Sequence, residues 1–472
     1  MKYIIYHLWV ISLLFPLGMQ AKVRLTSIWG DNMVLQQQSE VTFHGKASAN
    51  SKITIEASWD HRKLTTRSDQ HGNWDIQLPT PAAGGPYTIT FSDGETLTLK
   101  NILLGEVWFC SGQSNMEMPV RGFRGQPVYG SQPYIVSADS KRELRLFTVK
   151  RDWSTTPKEE GMTGYWSELS PKEVGDFSAT AYFFGDLLQR SLDIPVGLIH
   201  CSWSASKIET WMNKETLSQF PEVQLPDIKQ DKFDWPAGTP TLLWNAMVNP
   251  WKGFPIKGVI WYQGESDDTH PEIYEKLFTR LVEQLRKDWA EELPVIYAQL
   301  APFERWMQCR GDKFPELRKQ QFNAWEHIDN VHMISTSDCG NRFDIHPKNK
   351  QPIGIRMALS ARQHVYEEAV QGDAPVAVEM KVQDKQICIR FDNAVSLHLE
   401  GQELQELEIY TGEEKCEITG WSVNEDTLTV FIKEAIISNE ITAVFAQTPY
   451  YQVSLFNENG LPAFPFILQK RI

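Results

Sequence analysis

The stretch Gly105-Glu106-Val107-Trp108-Phe109-Cys110-Ser111-Gly112-Gln113-Ser114-Asn115-Met116 decides how the rest of the chain is read. Val107 to Cys110 is a short apolar run of β-branched and aromatic residues, which reads as a strand buried on both faces. Ser111-Gly112-Gln113-Ser114-Asn115 then has the composition of a tight turn. A serine on the turn leaving a buried strand stands where α/β folds place their ligands. Such a turn is also an ordinary way to end a strand. Its meaning therefore depends on what the neighbouring strands end in.

Outward from this stretch, short apolar segments alternate with amphipathic ones. Leu103–Cys110, 195–201, Gly258–Tyr262, 294–300 and 331–336 read as strands. Segments 179–192, 273–289, 316–327 and 353–369 read as helices. This alternation predicts a parallel sheet with helices on both faces, its strand C-termini brought to one edge. Before it, up to about residue 100, segments 51–57, 64–68, 73–78 and 87–91 read as strands separated by Gly and Pro turns. After Gly372-Asp373-Ala374-Pro375 the helical period disappears, and 379–391, 407–410, 427–432 and 441–446 read as strands. The chain thus has an α/β unit over 101–372 between β regions over 22–100 and 373–472.

The strand ends carry the chemistry. The first offers Gln113, Ser114 and Asn115. The second offers Ser202-Trp203-Ser204-Ala205-Ser206, and the third Gln263-Gly264-Glu265-Ser266. The last is followed by Ser337-Asp338 and then by Phe343-Asp344-Ile345-His346-Pro347. Acyl transfer needs such a set. A serine hydroxyl becomes a nucleophile when an imidazole accepts its proton, and the imidazole needs an acceptor on its other nitrogen. The oxyanion needs N–H donors aimed at it. Ser114, His346, Asp344 and Gln263 are able to fill these roles. Glu265 and Asp338 are rival groups for orienting His346, and a buried Glu265 also has a purely structural reading. No H-E-x-x-H, P-loop or G-x-S-x-G pattern is present.

Composition bounds the partners. The 472 residues are too many for one ordinary domain, and 42% hydrophobic content is enough for a sizeable core. A formal net charge of −14 has the wrong sign for nucleic acid or an anionic membrane. Seventeen Trp fit a protein that packs against sugar rings, although core is the commoner fate of Trp. Lys2, a mainly apolar run to Leu17 and a small residue at Ala21 read as a signal peptide over 1–21, hence a secreted or periplasmic protein without stable membrane association. Six separated cysteines form no C-x-x-C pair, and Cys110 and Cys201 read as buried, inert thiols.

Gly112-Gln113-Ser114-Asn115-Met116, Trp261-Tyr262-Gln263-Gly264-Glu265 and Asp344-Ile345-His346-Pro347 together resemble the sialate O-acetylesterase family, a branch of the SGNH-type hydrolases. Met33-Val34-Leu35-Gln36, Gly84-Gly85-Pro86-Tyr87, Ile208-Glu209-Thr210-Trp211 and Asn459-Gly460-Leu461-Pro462 extend the likeness over nearly the whole mature chain. The resemblance implies an SGNH-hydrolase-like domain of three α/β/α layers with a parallel sheet, flanked by N- and C-terminal β-sandwich-like regions. It implies Ser114 as nucleophile, His346 as general base and Asp344 as the acid orienting it. The oxyanion donors would be the Ser114 N–H, the Gln263 amide and the Ala205 N–H. No metal or organic cofactor is implied. Two departures stand out. The wider superfamily spaces its Asp three residues before His, against two here. The family commonly has Ser-Trp-Gly-Gly-Thr where this chain has Ser202 to Ser206, and glycines there let the backbone turn freely.

The expected activity is removal of O-acetyl groups from carbohydrate, above all from O-acetylated sialic acid. Acetylxylan or another acetylated glycan is the alternative substrate, and a non-catalytic glycan-binding protein the alternative class. A sialate substrate carries a carboxylate and calls for an arginine near Ser114, with Arg121, Arg124 and Arg342 as candidates.

Overall fold

The structure, a computed structural model, describes residues 22–159, 164–227, 229–230, 232–401, 403–433 and 440–471. The signal segment expected over 1–21 lies outside them. The strand that begins as the opening stretch is longer than its apolar run: it extends from Thr96 to Gly112. Its first half pairs antiparallel with Gly84–Ser92 and parallel with Val34–Gln36. Its second half pairs parallel with Val196–Ser202 on one side and Gly258–Tyr262 on the other. The sheet continues outward through Leu144–Thr148 to an antiparallel edge at Trp166–Ser167, and in the other direction through Val295–Ala298 to Val331–Ile334. The position near residue 100 where the composition changes is thus crossed by one continuous strand.

The two faces of this sheet feed separate cores, as the alternation of side chains along a strand requires. Phe109 points to one side, 5.7 Å from Trp289 of the Tyr274–Trp289 helix. Val107 joins the same cluster, with Leu317 of the Phe314–His327 helix. Trp108 and Cys110 point to the other side, where Trp108 meets Phe184 of the Ala179–Leu192 helix edge-on at 5.0 Å. The Gln351–His364 helix lies there too, with Met357 and Ala358 in that cluster. Each fully buried side chain such as Phe109 contributes about 1.5–3 kcal/mol by removal from water. The α/β reading of the central region holds, with a mainly parallel sheet.

In the N-terminal region a second sheet, Arg24–Leu25, Glu40–Lys46 and Asn73–Pro79, sets Phe43 against Phe91 at 5.4 Å. The C-terminal region holds two four-stranded antiparallel sheets around Ile389, Phe391, Ile409, Val430 and Phe445. Arg318 of the Phe314–His327 helix is buried where the two regions meet, donating to the Thr448 and Pro449 carbonyls under the Tyr451 ring. Cys110 and Cys201 are buried and free, and burial pushes both thiols up from their ordinary range. Among the described residues no helix is long and apolar enough to cross a membrane.

Candidate active site

Gly112 makes the turn after the first strand possible. It sits at φ +143°, and a Cβ there would come 2.1 Å from the Tyr262 carbonyl oxygen. Only glycine tolerates both. Gln113 then docks on the neighbouring strand end: its backbone N–H donates to Tyr262 O at 3.0 Å and its side-chain carbonyl accepts from Gly264 N at 3.1 Å. Ser114 starts a one-turn helix, Ser114–Glu117, and is 6% exposed. Among the described residues nothing hydrogen-bonds its hydroxyl, and its backbone N–H donates to no acceptor.

The imidazole of His346 lies between the edges of Phe123 and Trp306, with centroids at 5.4 and 5.2 Å. Its Nδ1 is 3.1 Å from Gln126 Oε1 and 3.6 Å from Asp344 Oδ1. Gln126 Nε2 donates to both Asp344 oxygens, at 3.1 and 3.3 Å. The carboxylate only accepts, so Gln126 must turn its NH₂ to Asp344 and its carbonyl to His346. Nδ1 then carries the hydrogen, and the Nε2 lone pair is left for chemistry. Asp344 also accepts from the His346 backbone N–H at 2.9 Å and from Lys348. Burial, and next to it the Lys350 charge, push the imidazole down to about 4, against the opposing pull of Asp344. It is neutral at ordinary pH, as a base must be.

The loops of Ser114 and His346 are tied directly. Asn115 Nδ2 donates to the Ile345 carbonyl at 3.1 Å and to Glu265, and Asn115 Oδ1 accepts from Lys350 Nζ. The 202–206 turn lies alongside, since Ser202 pairs with Gly112 across the sheet and Trp203 N donates to Gly112 O at 3.3 Å. Ser204 donates its backbone N–H at 2.7 Å and its hydroxyl to Glu117, which Arg151 holds at 2.5 Å. Ala205 is exposed, in the left-handed region at φ +57°, with a backbone N–H that donates to nothing among the described residues. Gln263 is fully buried; its amide donates to Ser206 O at 3.0 Å and to Asp267, and its carbonyl accepts from Tyr274 at 3.1 Å. Among the described residues no group of three His, Cys, Asp or Glu is placed to hold a metal ion.

Residues 104–363 match the family model described as carbohydrate esterase, sialic acid-specific acetylesterase. The chain belongs to this family. It is a carboxylic ester hydrolase. The sialate O-acetylesterase of Homo sapiens is 26% identical over 512 residues, covering 97% of this chain and 96% of that one. That of Mus musculus is 24% identical, covering 94% of each. A carbohydrate acetylesterase of Xanthomonas citri has a solved structure with a TM-score of 0.83, at 29% identity, covering 94% of this chain and 99% of that one.

In the esterase the Ser114 loop is tied to the Asp344–His346 loop through Asn115 and lies beside the 202–206 turn that carries Ala205, while other expected residues are engaged elsewhere. Both hydrogens of the Gln263 amide are already engaged, so Gln263 is not a free oxyanion donor in this structure; it ties the Ser206 turn to the neighbouring strand end. Asp338 makes a two-pronged ion pair with Arg356 at 2.6 and 2.7 Å and none with His346 among the described residues. Glu265 binds Asn115 rather than His346. Of the arginines, Arg121 pairs with Asp176 at 3.1 Å and Arg342 with Glu304 at 3.0 Å. Arg124 is exposed, two residues from Gln126, and joins no ion pair among the described residues. Gln126 and Lys350 escape the sequence reading, because neither belongs to a local pattern that marks it.

Proposed function

We propose that the esterase is a serine acetylesterase acting on carbohydrate, with O-acetylated sialic acid as its substrate. The observation that carries the reading is the Asp344–Gln126–His346 chain, which holds the hydrogen on Nδ1 and leaves Nε2 free beside the Ser114 loop. In this reading Ser114 Oγ attacks the acetyl carbonyl while His346 Nε2 takes its proton. The oxyanion is held by the Ser114 and Ala205 backbone N–H groups. His346 returns the proton to the departing sugar oxygen, then takes one from water as that water attacks the acetyl-enzyme, and gives it to Ser114 Oγ as the acyl bond breaks and acetate leaves. Asp344 acts on the imidazole through Gln126 as well as directly.

The architecture in this reading is an SGNH-type three-layer domain over 101–372 with β-sandwich-like regions over 22–100 and 373–472. The protein is exported by a signal peptide over 1–21 and acts outside the cytoplasm. The sialate assignment rests on Arg124, an exposed cation beside the loop that holds His346 and matched in geometry to a carboxylate. Acetate release from O-acetylated sialic acids and from acetylated xylo-oligosaccharides tests it. Preference for the sialic acids, weakened about tenfold or more by Arg124→Ala through the loss of a charge-assisted contact, is the expected result. Equal or better turnover of xylo-oligosaccharides assigns the enzyme to neutral glycans.

A further inference from the structure

Three loops of the site converge on one side chain. Asn115 follows Ser114 directly and is 1% exposed. Its NH₂ donates to Glu265, on the turn after Gly258–Tyr262, and its carbonyl accepts from Lys350, four residues beyond His346. Lys350 is 0% and Glu265 7% exposed, yet among the described residues no direct ion pair joins them. Each grips the opposite end of one carboxamide. A carboxylate only accepts and an ammonium only donates, so the carboxamide has one permitted orientation. Ser114, one residue earlier, is fixed with it.

Burying an ammonium is costly, and a methionine would fill the space without that cost. Lys350 also stands at the N-terminus of the Gln351–His364 helix, where a cation opposes the helix dipole. A charge held against both penalties has a local use. We propose that Lys350 is a positioning residue of the esterase: through Asn115 it fixes Ser114 relative to His346. This rests on Ser114 and His346 being nucleophile and base.

The charged and titratable groups facing each other here are few. Asp344, Lys348 and Lys350 act on His346, with uncharged Gln126, Phe123 and Trp306 around it. Lys350 faces Glu265, Cys339, Asp344 and Lys348, and lies 5.4 Å from the Tyr262 ring centroid. Burial lowers Lys350 to about 7, opposed by Glu265, so below neutral pH it is charged. In that range it acts on His346 in the same direction as burial.

Lys350→Met keeps the stem and removes the charge. With p-nitrophenyl acetate, kcat is expected to fall roughly 10²-fold with little change in KM, the scale of a misplaced reacting group. The acid limb of the kcat profile is expected to move up toward the ordinary histidine value of about 6.5. The double variant Glu265→Gln/Lys350→Met removes both buried charges, guards against simple misfolding, and is expected to keep the raised limb. A kcat that stays at the wild-type value in folded Lys350→Met, or an acid limb that stays at the wild-type position in either folded variant, overturns the proposal. Ser114→Ala, measured alongside, separates the two readings. No activity there with an unmoved limb in Lys350→Met puts the failure on Lys350; activity in Ser114→Ala puts it on the nucleophile.

Discussion

At His346 the shortest contact to the imidazole N–H comes from a neutral side chain. Gln126 Oε1 lies 3.1 Å away and Asp344 Oδ1 3.6 Å. Gln126→Ala is therefore expected to lower kcat about tenfold or more by freeing the ring, and steady-state kinetics on p-nitrophenyl acetate checks it. Asp344→Asn also lowers kcat, and its effect on the acid limb has a definite sign. The Asp344 carboxylate favours the imidazolium, so removing its charge moves the limb to lower pH. In the wild type, kcat/KM is expected to hold down to about pH 4, because burial and Lys350 depress the imidazole to about that value; a limb near 6.5 contradicts this. Ser114, His346 and Asp344 were legible in the sequence as candidates because each stands on a strand end or in a short polar block. Gln126 and Lys350 were not, since a carboxamide in a loop and a lysine before a helix acquire their meaning only from what folds against them.

Strand ends and turns carry the departures from the family pattern. Ala205 occupies a left-handed position, φ +57°, that glycine adopts without strain. Ala205→Gly is expected to leave stability unchanged or raise it by up to about 1 kcal/mol, the relieved strain being partly offset by backbone entropy; a lower thermal midpoint contradicts this. Gln263→Ala removes the side-chain donor to Ser206 O and Asp267 Oδ2, and is expected to cost about 1–3 kcal/mol of stability by denaturant unfolding. At this scale the parallel strands were legible as uninterrupted apolar runs. Leu144–Thr148 was missed because Lys141-Arg142-Glu143 and Lys150-Arg151 bracket it with charge. The stretch read as one strand over 379–391 is a hairpin, Val376–Gln383 and Gln386–Asp392.

Over the whole molecule, the β regions are joined to the α/β sheet by more than linkers. The Thr96–Gly112 strand belongs to both the N-terminal pairing and the central sheet, so the Ser114 turn is the end of a strand anchored at both levels. Arg318 joins the central region to the C-terminal one through the Thr448 and Pro449 carbonyls. Arg318→Leu is expected to lower stability by about 2–3 kcal/mol, the loss of charge-assisted bonds to buried carbonyls, and a urea midpoint equal to the wild type contradicts it. These joins were not legible, because a composition change marks where a pattern shifts and not whether the backbone stays extended across it. The central claim concerns the serine at the end of that shared strand. Acetate release by Ser114→Ala, with its circular dichroism and thermal midpoint compared with the wild type, tests it most directly. The account predicts a folded protein whose kcat has fallen at least about 10³-fold; a folded variant that releases acetate at the wild-type rate contradicts it.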